Sequence, residues 1–177
     1  ADLKPKVEAL RRVAEEKENL QHRLEESDML ATLVLSNLDE YAVLIKFLRS
    51  LNSCDGYRDV AEATLAMLKA YRLDCALQFR LPEFEITINH AREVRPLEAS
   101  IINQVRSMGT IAEFKRRAAF NFERVSVLVN NMPVEDPDLC GRLRDHLAIG
   151  VETVNAKLLA LLTHQENSET RDEIAAL

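Results

Sequence analysis

Four histidines and three cysteines are the residues through which this chain could do metal, proton or covalent chemistry. His146 follows Asp145, with Arg142 one helical turn earlier. A histidine on a helix that pairs with a second helix would suit a phosphoacceptor. Such a site carries an acid just after the histidine and a proline a few residues on, and neither is present here. The trio reads instead as a charged helix flank, with local pairs worth about 0.2–0.5 kcal/mol each. His90 could ligate a metal or haem, but Glu93 is the single partner near it at ligand spacing, and it reads as a strand-end histidine. His22 falls on a helix flank. His164 sits at a helix end, where its charge would favour the C-terminal dipole.

Cys54, Cys75 and Cys140 are odd in number and lack CxxC spacing, which fits inert thiols in a reducing cytoplasm better than a disulfide framework or a zinc site. No cluster of charges marks Cys54 or Cys75 as a thiolate. No glycine-rich phosphate loop, GxSxG or HExxH occurs. The expectation is a chain that is not an enzyme and holds no metal or cofactor.

The elements that would carry these residues begin with a long helix, from about Leu3 to Leu51. Steps of three and four lead through Leu3, Lys6, Leu10, Val13, Lys17, Leu20, Leu24, Ser27, Ala31, Val34, Leu38, Tyr41, Ile45 and Leu48, apolar but for Lys6, Lys17 and Ser27. That spacing over roughly seven heptads, between charged flanks, is a coiled-coil seam. Its simplest partner is a second copy, paired in parallel. From Leu30 to Leu51 the apolar residues outgrow one stripe, so this half faces both its mate and a domain of its own.

Ser53 to Gly56 break the helix. A second helix follows over Tyr57–Tyr71. Cys75, Leu77, Phe79 and Leu81 then alternate with polar residues, turn at Pro82-Glu83, and are answered by Phe84, Ile86 and Ile88, a β-hairpin. A third helix spans about Val94–Met108, and Gly109 closes it. Two or three antiparallel strands lie between Ile111 and Val129. Asp136-Pro137 reads as an N-cap followed by proline at the first helical position, opening a last helix to about His164. Gly150 inside it signals a close helix approach.

With 177 residues, 47% of them hydrophobic and 29% charged, the chain has material for one domain with helical extensions. A net charge of −6 excludes a nucleic-acid surface as the leading reading, and Lys115, Arg116 and Arg117 read as a solvated face. No apolar run approaches a membrane span and no signal peptide is visible, so a cytoplasmic location is expected. The chain opens on Ala1 without Met, as a piece of a longer product would.

The run Val125-Ser126-Val127-Leu128-Val129-Asn130-Asn131-Met132-Pro133, with Gly141-Arg142-Leu143-Arg144-Asp145-His146-Leu147-Ala148 after it, resembles the closing strand and C-terminal helix of GAF-like signalling domains that accompany bacterial two-component and response-regulator proteins. The resemblance implies an α+β fold, a small antiparallel sheet covered by helices. It also implies a non-catalytic regulatory module whose helices continue through a dimer axis, with a receiver or another sensor domain upstream. The expected layout is a coiled-coil signalling helix over 1–30, a GAF-like domain over 31–165 and a polar tail over 166–177. The homodimer interface is expected at Leu10, Val13, Leu20, Leu24, Ala31, Val34 and Leu38 of the first helix and at Leu147, Val151, Val154 and Leu158 of the last. A small-molecule sensor and a coiled-coil scaffold stay open as alternatives.

Overall fold

A computed structural model describes residues 3–91, 93 and 95–175 of the chain. In order they form α1 (Leu3–Asn52), α2 (Tyr57–Ala70), β1 (Cys75–Arg80), β2 (Glu85–Ile88), α3 (Pro96–Val105), a short 3-10 turn at Arg106–Met108, β3 (Ile111–Phe114), β4 (Arg117–Asn121), β5 (Val125–Val129) and α4 (Pro137–Ala175). By its contacts the chain parts into two units, 1–41 and 42–177. The first is the greater part of α1, and no apolar side chain of residues 3–41 is buried in it.

The second unit is built on one antiparallel sheet in the order β2-β1-β5-β4-β3. Strand alternation sends Cys75, Leu77 and Phe79 to one face, opposite Val129, Val127 and Val125 of β5. Ala76, Gln78 and Arg80 go to the other face, and all six residues of β1 are buried. A central strand is buried on both sides only if helices cover both faces. Here α2 and α4 lie on the first face and α3 on the second. The α+β class expected from the pattern is therefore what the chain adopts.

The last turns of α1 reach the core through Leu44, Phe47 and Leu51, whereas Ile45, on another side of the helix, is exposed. Phe47 meets α4 at Gly150, where an added Cβ would lie 3.5 Å from the Phe47 ring and 3.2 Å from Met67 Sδ of α2. Further on, Lys157 Nζ lies 3.4 Å from the Asn52 carbonyl. The pairs 47/150 and 52/157 advance together, so these turns of α1 run in the same direction as α4. The cap of α4 is as expected: Asp136 Oδ1 accepts from Leu139 N at 3.0 Å. The conspicuous Asn130-Asn131 pair ties the end of β5 to the α2–β1 connection, with Asn131 Oδ1 accepting from Asp74 N at 2.7 Å and Asn131 Nδ2 donating to Arg72 O at 3.1 Å.

Several expectations change. Leu147, Val151, Val154 and Leu158 have 0% exposure and pack with Leu44, Phe47, Leu77 and Val127 in their own chain's core. These side chains, expected at a dimer interface, are taken up within their own chain, because α4 lies against α2, β4 and β5 and turns its apolar stripe to them. α4 continues to Ala175, eleven residues beyond the expected end at His164. α3 begins at Pro96, and Val94 is outside the described residues. Leu97 at its start and Met108 in the turn after it are exposed, since the side of α3 that meets the sheet is the one carrying Ile102 and Val105. Ile86 is exposed to 37% because β2 is an edge strand.

Phe79 is 4% exposed, so Phe79→Ala should cost about 3–5 kcal/mol; a loss under about 1 kcal/mol in denaturant melts would contradict the strand facing. Gly150→Ala should be near neutral, since the gain in helix propensity of about 1 kcal/mol offsets a small shift of the flexible Met67 tip. Gly150→Leu should overpack the three-helix contact by about 1–3 kcal/mol, read from the same melts.

Candidate functional site

The two features the sequence offered for chemistry are closed by their surroundings. Cys75 Sγ lies 3.5 Å from His90 Nε2, but that nitrogen also lies 2.8 Å from the Leu73 carbonyl. A carbonyl only accepts, so Nε2 carries a proton and cannot take one from the thiol. Burial, and after it Asp74, push the Cys75 thiol up to about 12, opposite to what a nucleophile needs. The Cys54 thiol is raised as well, by burial first and then by Asp59. His146 is buried between α2 and α4, its Nδ1 3.1 Å from the Tyr71 hydroxyl. A phosphoryl donor could not reach it there. Among the described residues no three His, Cys, Asp or Glu side chains gather as metal ligands, and no helix is long and apolar enough to cross a membrane.

A polar row under α3 was hidden in the strand pattern. The register aligns Thr87, Gln78, Ser126 and Asn121 side by side across β2, β1, β5 and β4. Gln78 Nε2 donates to Thr87 Oγ1 at 3.1 Å, and Ser126 Oγ donates to Asn121 Oδ1 at 3.0 Å. Asn121 Nδ2 reaches the Gly109 carbonyl at 3.2 Å, holding the end of the α3 segment to the sheet. Arg80, 8% exposed, closes the row. Its guanidinium donates to Gln78 Oε1, Ser126 Oγ and the carbonyls of Phe122 and Glu123. All four acceptors are neutral, so burial, with Arg106 next, draws the Arg80 pKa down to about 10. Around the row the space is filled by Ala76, Ile102, Val105, Ala112, Ala119 and Leu128. Alternation alone reads Gln78 and Arg80 as a wet face; the available signal was that the apolar residues of α3 need a sheet face to cover.

A groove of about 380 Å³ opens beside α4, floored by Tyr57, Leu81, Phe84 and Leu162 and bordered by Glu83, Glu166 and Glu169. Burial, then Glu83 and Glu166, raise the Tyr57 hydroxyl pKa.

Most of the large exposed apolar side chains among the described residues are on α1. Leu10, Val13, Leu20, Leu24, Val34 and Leu38 are all more than half exposed, at 56% for Leu20 and 64% for Leu24, and Ala31 is exposed with them. Of the expected interface residues, then, the seven on α1 share one open stripe and the four on α4 are removed from it. An apolar stripe between charged flanks is the pattern of a helix that lays one side against another surface. Comparison with known proteins finds no matching family model, no matching curated protein and no matching solved structure.

Two outcomes check these surroundings. Arg80→Met leaves four acceptors without their donor and should cost about 3 kcal/mol; a melt shifted by less than about 1 kcal/mol would mean the row is dispensable. Iodoacetamide at pH 8, with peptide mapping by mass spectrometry, should label the half-buried Cys140 in the folded protein and reach Cys75 only after denaturation.

Proposed function

We propose that the chain is a non-catalytic relay module of the GAF-like kind, paired with a second copy through α1 and passing a conformational change from its N-terminal side to α4. The observation that carries this reading is the open apolar stripe of α1, which extends over residues 3–41 although none of those apolar side chains serves a core of its own. The same-direction course of α4 beside the end of α1 supports it further. A chain that enters the domain along α1 leaves along α4 at the other end, so a shift in α1 can be handed on through Phe47 and Gly150. Two packings within a few kcal/mol of one another would be enough for such a relay. The working place is the cytoplasm, with a receiver or sensor domain as the source of the signal. A small-molecule-sensing version of the module is favoured by the Tyr57–Phe84–Leu162 groove, whose three glutamates suit a cationic ligand.

The test is association. Leu20→Asp and Leu24→Asp each place a carboxylate in the proposed dry seam, where an unpaired charge is costly. Sedimentation should show the wild-type chain as a dimer and both variants shifted to monomer, with the far-ultraviolet signal of the domain retained. A monomeric wild-type chain, or dimers untouched by both changes, would overturn the reading.

A further inference from the structure

We infer, on the dimeric reading above, that α1 pairs with α1 of a second copy in parallel and in register, and that Glu16, Lys17, Arg23, Asp28, Leu30 and Leu35 select this orientation. In the heptad, Leu10, Lys17, Leu24, Ala31 and Leu38 hold a positions, and Val13, Leu20, Ser27, Val34 and Tyr41 hold d positions. A parallel pair sets each g residue beside the e residue five places on in its mate. Arg23 then faces the partner's Asp28, twice over by symmetry. The one charged a residue between Leu10 and Leu38, Lys17, packs beside the partner's Glu16 at g. Among the described residues none of these four charges is engaged in an ion pair within its own helix, whereas Arg11 is paired with Glu15.

The width of the stripe agrees with the charges. Near residues 29–38 it broadens, with Leu30 at g and Leu35 at e each 63% exposed. Parallel register sets Leu30 against the partner's Leu35, so the broad part covers the broad part. An antiparallel pairing that covers 3–41 would lay 29–38 along residues 6–15, which include Lys6, Glu8, Arg11, Arg12 and Glu15. An antiparallel pairing centred on 29–38 would leave the N-terminal heptads without a mate.

The experiment exchanges charges between two chains of different mass. Arg23→Glu alone sets glutamate against the partner's Asp28, and Asp28→Arg alone sets arginine against arginine, so each homodimer should weaken roughly tenfold. Mixed, the two variants regain both attractions, and native mass spectrometry should find heterodimers well above the statistical half. In parallel, Leu10→Cys should cross-link to itself across the dimer on mild oxidation. Statistical mixing, or cross-linking of Leu10→Cys to Val34→Cys in place of self-cross-linking, would overturn the parallel register while leaving the dimer intact. A wild-type chain that sediments as a monomer would instead overturn the dimer itself.

Discussion

Five strands with two buried central members impose one requirement on everything else in the second unit: both faces of the sheet must be dry. β1 and β5 have every residue buried. On one face the requirement is met with aliphatic and aromatic side chains under α2 and α4. These two helices and α1 crowd together at Gly150, where a hydrogen in place of a side chain lets Met67 and Phe47 approach. The apolar stripe of α4 is thereby committed to its own chain.

On the other face the same dryness decides the fate of the polar side chains. A buried amide, hydroxyl or guanidinium without partners costs far more than a good hydrogen bond returns. Gln78 bonds Thr87 and Ser126 bonds Asn121, and Arg80 joins the two pairs by donating to Gln78 and Ser126 and to the turn between β4 and β5. The row is thus a clamp that joins strands, turn and α3 segment. Cys75 beside His90 follows the same logic: the thiol stays protonated and the imidazole proton is held by a carbonyl, so closeness brings no reactivity.

On α1 the constraint is reversed. Residues 3–41 bury no apolar side chain, yet keep the three-and-four spacing without a gap other than Lys6, Lys17 and Ser27. Polar groups in a seam weaken it and discriminate among registers. An apolar stripe left open and one buried in a core make different demands on the chain, and they are met by different elements, α1 and α4.

The sequence by itself determined the elements: the long helix, the hairpin, the closing strands, the capped start of α4, the α+β class and the apolar stripe along α1. Periodicity and capping are local and survive without knowledge of contacts. It also located Gly150 as a point of close approach. The tertiary structure alone decided which stripe faces which neighbour. Leu147, Val151, Val154 and Leu158 have the spacing of a coiled-coil seam, and nothing in that spacing says whether the opposing surface is another chain or a sheet. Gln78 and Arg80 alternate as a wet face would, and their burial depends on α3, whose docking is set by residues far away in the chain. A period states that one side of an element is apolar; only the packing of the whole chain states what that side, and the side opposite, will touch.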